Sequence, residues 1–192
     1  SRAISLGTLD TSLSFYNGHW QPTEQIPERA IGRRFRDATH DINCKDQFCA
    51  IDPTARGKTT RLILSSQLHA DMWRATLYGQ YYDWHMFSNP TYYLDDPVHG
   101  DQINQKDHRW IFGGRIERYF DVTEAVNVLG GAEWRYDDVV NVGVDHTERR
   151  LLVAPIAINS LKEGSLSPYL EGNWNPVKPL RLTAGLRGDL YS

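Results

Sequence analysis

The side chains best able to do chemistry are gathered after Tyr93, where Asp95, Asp96, His99 and Asp101 share one stretch. Carboxylates and an imidazole so close could hold a hard cation or a metal chelate. No spacing among them matches a defined coordination motif, and Pro97 and Gly100 punctuate the stretch as a turn-rich polar loop would be. A second set is cationic. Arg109, Arg115, Arg135, Arg149, Arg150, Arg181 and Arg187 would make a surface attractive to anions, but Glu117, Glu133, Asp137, Glu171 and Asp189 interleave with them, which favours cross-strand ion pairs. Cys44 and Cys49, five positions apart, suit a disulfide in an exported loop. With His40 they supply too few ligands for a closed metal site, so no metal or cofactor is expected. Ser88 and His85 are the best available catalytic pair, with no partner carboxylate and no nucleophile turn. No catalytic residue is therefore assigned, and the chain is not expected to be an enzyme.

Those groups need elements to carry them, and alternation supplies them. Leu180, Leu182, Ala184, Leu186, Gly188 and Leu190 fall on one side of a period-two pattern, against Arg181, Thr183, Arg187 and Asp189 on the other. The same split sets Leu166, Leu170 and Trp174 against Ser165, Ser167, Glu171 and Asn173. It sets Val126, Val128, Ala132, Trp134 and Tyr136 against Asn127, Glu133, Arg135 and Asp137, with Leu129 out of place. Trp110, Phe112, Ile116 and Phe120 oppose Arg109, Arg115 and Glu117. Trp73, Ala75, Leu77 and Tyr81 oppose Arg74, Thr76 and Gln80; Leu62, Leu64 and Leu68 oppose Arg61, Ser65 and Gln67; Leu9, Leu13 and Phe15 oppose Asp10, Ser12 and Ser14. Seven strands follow, each with one apolar and one wet side, most about as long as a tilted strand that crosses a bilayer.

Connection lengths alternate. Short links fall near His69 to Met72, Tyr119 to Thr123 and Asn175 to Pro179; long ones run from Trp20 to Gly57, Asn89 to Lys106 and Val139 to Glu163. Outer-membrane barrels have this alternation, with short periplasmic turns and long external loops. The third long link could hold a hairpin extension, since Leu151 to Ile158 is apolar enough to pair. Both chain ends are expected on the outer side.

The bulk numbers agree. Six Trp, ten Tyr and six Phe stand in a chain of 192 residues that is only 40% hydrophobic, with a mean hydropathy of −0.54. No run is long and apolar enough for a membrane helix. A net charge of −3 does not suggest a nucleic-acid partner. Trp73, Phe120 and Trp174 lie beside the short turns and Trp134 and Tyr136 towards the other end, as interfacial girdles would. A lone seven-stranded sheet would leave its edges unsatisfied in lipid, so the chain is expected to be part of a larger wall.

The wording of the chain adds a family. IPERAIGRR (Ile26 to Arg34), IDPTARGKTTR (Ile51 to Arg61), FSNPTYYLDDPVHGDQINQKDHR (Phe87 to Arg109), WRYDDVVNVGVDHTERR (Trp134 to Arg150) and LRLTAGLRGDLY (Leu180 to Tyr191) resemble the barrel of TonB-dependent outer-membrane receptors. The last block is common across that family; the FSNPTYYLDDPVHGDQ block is more specific to one branch. The resemblance implies an all-β antiparallel transmembrane wall over residues 1–192, belonging to a 22-stranded barrel closed by a plug. It also implies residence in the bacterial outer membrane and active uptake, energised through TonB, of a ferric siderophore, haem, cobalamin or other metal chelate. The partners are then the plug, the remaining strands, TonB, membrane lipid and the imported ligand. Arg109, Arg115, Glu133, Arg135, Arg181 and Arg187 would face the lumen. Two alternatives stand beside this: a small self-contained outer-membrane barrel enzyme that modifies lipid, and a soluble lipocalin-like ligand-binding barrel.

Overall fold

A computed structural model describes residues 7–22, 24–36 and 41–192; His40 lies outside them. The period-two segments form one antiparallel sheet. Its long strands are β1 (Thr8–Trp20), β4 (Arg56–His69), β5 (Trp73–Ser88), β6 (Ile103–Thr123), β7 (Val126–Glu148), β8 (Leu151–Val177) and β9 (Leu180–Arg187), the last continued by the short β10 (Leu190–Tyr191). Each long strand pairs with the next long one along the chain, and β10 resumes the pairing of β9 with β8. A separate hairpin, β2 (Arg33–Arg36) with β3 (Asp41–Cys44), follows a single 3-10 turn at Glu28–Ala30 within the first long connection. Among the described residues there is no α-helix and the sheet does not close; β1 and β9 with β10 are its two edges.

Register explains why one residue in two is apolar. Directly paired residues share a side of the sheet, and the pairs Leu13↔Leu64, Leu68↔Ala75, Tyr81↔Trp110, Ile116↔Ala132, Trp134↔Leu166 and Leu170↔Leu186 carry one apolar face across all seven long strands. The other face carries Arg115↔Glu133, Arg135↔Ser165 and Tyr169↔Arg187. On that polar face two glycines sit beneath tyrosines. A Cβ on Gly113 or Gly131 would stand 2.3 or 2.4 Å from the paired Tyr78 or Tyr169, so the small residue is what lets each ring lie against the sheet.

Three expectations change. The connection from Val139 to Glu163 is not a loop but the outer part of the β7–β8 hairpin, which turns at Arg149 and Arg150. Both turn residues have positive φ, 50° and 71°, as a two-residue hairpin turn that follows strand twist demands; they are therefore not wall residues. The link from Asn89 ends earlier than Lys106, because β6 begins at Ile103. The chain ends are on opposite sides, since an odd number of antiparallel crossings cannot return: Thr8 pairs with His69 by a short turn, whereas β10 ends at the far side. The link expected from Tyr119 to Thr123 is still strand, because β6 runs to Thr123 and turns into β7 through Glu124 and Ala125 alone; β8 passes to β9 through Lys178 and Pro179.

Candidate functional site

The polar face is a lattice of paired charges. Arg109 chelates Asp107 through Nε (2.7 Å) and Nη2 (2.6 Å) and lies 3.5 Å from Asp137. Arg135 takes the same Asp137 through Nε (2.7 Å) and Nη2 (2.8 Å). Nearer the short turns, Glu133 joins Arg115 (3.5 Å) to Arg187 (2.9 Å), and Arg187 also donates to Asp189 (2.9 Å). Tyr169 donates to Glu117 (2.7 Å). Arg181 and Thr183 both donate to Asn173 Oδ1, at 2.6 and 2.8 Å. Five of the expected cationic residues, Arg109, Arg115, Arg135, Arg181 and Arg187, thus share one face, and each has an oxygen partner on it. Several pairs are two apart on one strand (Asp107 with Arg109, Arg135 with Asp137, Arg187 with Asp189), which places both members on the same side.

The loop cluster does other work. Asp101 accepts backbone N–H bonds from Leu94 (2.6 Å), Asp95 (3.1 Å) and Asp96 (2.8 Å), folding the loop around its own carboxylate. Burial acts to raise its pKa, but these bonds outweigh it and the group lies below the ordinary aspartate range. Asp96 accepts N–H bonds from His99 (2.9 Å) and Val98 (2.8 Å), which hold its carboxyl low as well. His99 turns the other way, its Nδ1 2.9 Å from Glu148 at the hairpin end, and that bond raises its pKa. Asp95 is exposed. The four residues are adjacent, with both oxygens of Asp101 and Oδ1 of Asp96 engaged by backbone N–H groups, and among the described residues no three His, Cys, Asp or Glu side chains gather to hold a metal. Cys44 and Cys49 are joined by a disulfide, Cα atoms 5.2 Å apart; with Ala30 and Ile51 they make a small core beside Phe35 and Tyr92.

Alternation gives no sign of the residue that ties these loops together. Gln102, 1% exposed, donates Nε2 to Asp52 Oδ2 (2.8 Å) and Thr54 Oγ1 (2.6 Å), while its Oε1 accepts from Thr147 Oγ1 (3.0 Å) and the Arg150 N–H (2.8 Å). One amide so joins the first loop, the second loop and the hairpin turn. Beside it the Asn89 N–H donates to Glu24 (2.7 Å) and its side chain to Asp52 (2.8 Å). Glu24 is pushed above the usual carboxylate range, first by burial and further by Asp52, against the bond from Asn89. Asp52 Oδ1 also accepts from the Thr54 N–H (2.8 Å) and Oγ1 (2.6 Å), so the two short side chains cap their own turn.

Ser88 and His85 do not form a dyad. They stand on strand positions of opposite parity, so their side chains leave opposite faces, and His85 lies 3.2 Å from Asp83. The apolar face is the more distinctive surface. Leu13, Phe15, Leu77, Leu170 and Leu186 are all more than half exposed, with Leu186 at 80%, while Val139 and Asp137 on the polar side are at 2% and 4%. The apolar band on β6 runs from Phe120 to Trp110, about the length of a membrane-crossing strand. Beyond Trp110 the same side carries His108, Lys106 and Asn104. Aromatic rings edge the band at both ends: Tyr81, Trp110 and Phe112 with centroids 4.9 and 6.4 Å apart at one, Trp73, Phe120 and Trp174 at the other. No family model, curated protein or solved structure gives a match to this chain.

Proposed function

We propose that this chain is barrel wall of a TonB-dependent outer-membrane receptor that imports a scarce nutrient as a metal chelate, haem, cobalamin or similar ligand. The supporting observation is the exposed apolar band: one bilayer thick, ringed by aromatics at both rims, and giving way to polar residues where the strands continue past it. A water-soluble sheet hides such a face, whereas a membrane barrel turns it to lipid and keeps its charges inside. In this reading the sheet continues past β1 and β9 into a 22-stranded barrel closed by a plug. The short turns then lie in the periplasm, and the loops carrying Cys44, Asp101 and Gln102 lie outside. The charged lattice lines the lumen and faces the plug, and the outer loops meet the ligand. The sequence block that resembles the family most specifically, Phe87 to Arg109, covers the loop that Asp101 and Gln102 organise.

Uptake of labelled ferric siderophores, haem and cobalamin by cells that carry or lack this protein, each with and without TonB, tests the proposal. Uptake of one ligand that requires both is expected. Uptake by this protein that persists without TonB would sink it. Spin labels at Leu182, Leu186, Val126 and Trp134 should meet lipid-soluble oxygen, and labels at Arg181, Arg187, Glu133 and Arg135 a water-soluble quencher; the reverse would invert the wall.

A further inference from the structure

Within the band bounded by Trp110, Trp134 and Tyr81 on one side and the short turns on the other, every described apolar-face position is uncharged except Arg118. It is on this face because it pairs with Trp73 on β5 and Gly130 on β7. Its guanidinium lies 4.8 Å from the Trp73 ring centroid and 4.7 Å from that of Phe120. No carboxylate, amide or hydroxyl among the described residues bonds it, unlike Arg109, Arg115, Arg135, Arg181 and Arg187 on the opposite face. Five N–H donors are thus presented outward with nothing but aromatic surface behind them. Gly130, its partner on β7, adds no side chain; the nearest side-chain atoms to where its Cβ would stand are those of Leu170 and Phe120, at 3.7 and 3.8 Å.

A lone cation in an apolar band costs free energy unless it reaches the interface or finds an anion there. Arg118 sits one residue pair inside the short-turn rim, at headgroup depth for an aromatic belt. Its planar fork matches two oxygens of a phosphodiester, and its packing against the Trp73 and Phe120 rings limits its freedom. We infer that Arg118, clamped between Trp73 and Phe120, is a binding site for the phosphate of one phospholipid in the leaflet at the short-turn rim. Glycerol and acyl chains of that lipid would run up the band over Ile116, Ala132 and Leu170. The inference rests on the wall reading, because only a membrane supplies this ligand at this place.

The test uses the intact protein extracted from its native membrane in mild detergent, with short-chain phosphatidylglycerol as the probe and native mass spectrometry as the readout. Arg118→Gln should weaken binding of the first lipid about fivefold, the factor that one basic side chain commands at an anionic surface. Arg118→Lys, which keeps charge without the fork, should fall between, and serves as the second variant should the glutamine protein not assemble. Inorganic phosphate in excess should not displace the lipid. Equal retention by wild type and both variants would overturn the site, and so would displacement by inorganic phosphate, which would mean a bare anion site. Co-flotation of the wild type with phosphatidylethanolamine and phosphatidylglycerol liposomes separates the two levels. A protein that inserts but loses no lipid in the variants refutes Arg118 alone, whereas one that does not insert refutes the wall.

Discussion

The band of the sheet and the loops at its far end are held together in opposite ways. In the band, backbone pairing runs unbroken from β1 to β9, side chains repeat every second residue, and the apolar ones are exposed. At the loop end, chain segments far apart in sequence meet on a few non-repeating polar atoms: Gln102, Asp52, Thr54, Asn89 and Thr147, beside a core of only Ala30, Cys44 and Ile51. The band is therefore tolerant of sequence detail but intolerant of the wrong class of residue on the wrong face. The cap tolerates class changes on its surface and depends on single atoms within.

The largest expected effect tests the first half of that contrast. Leu170→Arg, in mid-band, should lower the stability of the membrane-inserted protein by about 2–4 kcal/mol, the depth-dependent cost of an arginine facing hydrocarbon. Phe48→Asp, at an exposed cap position, should stay within about 0.5 kcal/mol. Denaturant titrations of both variants in liposomes measure the difference, and equal costs would mean the band does not face lipid. Next, Gln102→Ala removes four hydrogen bonds from the cap and none from the band's ladder. Leaving buried donors and acceptors unpaired costs about 1–3 kcal/mol, expected as faster amide exchange at Thr147 and Arg150 with the Leu166–Leu170 amides unchanged; equally faster exchange in both regions would erase the division.

A third, smaller effect concerns packing on the polar face. Gly131→Ala should displace Tyr169 from its place over the strand and break its bond to Glu117, at about 1 kcal/mol, read as a changed tyrosine absorbance without loss of insertion. Smallest is the response of the cap to pH. His99 has a folded-state pKa raised by Glu148, so its contact contributes fully below the unfolded value of about 6.5 and is lost as pH rises through the folded one. Glu24, also raised, acts with the same sign from a lower starting point, while Asp96 and Asp101, held low, contribute above about 3.9 and lose that contribution only in acid. Exchange at Gly100 and Glu148 should therefore speed up, beyond its intrinsic pH dependence, as pH passes from mildly acid to alkaline. An exchange rate that follows only its intrinsic pH dependence would show that the histidine is neutral in the contact.

How much of this was readable in the chain follows from the same contrast. Every strand of the band was legible because one face is apolar and the other polar, which imposes a two-residue period, and even the misfit Leu129 is where the alternation puts it, opposite Glu171. The outer part of the β7–β8 hairpin was not, because register shifts between Val139 and Val142, Val144 and Asp145, and His146 and Thr147 reset the period each time. Arg149 and Arg150 were grouped with the wall by charge, although their backbone makes them a turn. Gln102 was invisible: an uncharged residue acquires its importance only from partners about fifty positions away. Arg118, in phase with Ile116 and Phe120, was passed over, because one cation does not break the period of a strand.

One consequence of the long hairpin bears on how the chain must be handled in making it. From Leu151 to Ile158, β8 pairs with β7, and Leu151, Leu152, Ile156 and Ile158 are exposed. An apolar, uncharged, extended segment is the kind of template on which copies of an unfolded chain stack into fibrils. Pro155 interrupts that stretch and lacks a backbone N–H, so it acts as a gatekeeper against self-templating. The period between synthesis and folding is then when this segment is most dangerous, and its proline protects the chain while it is still extended in water.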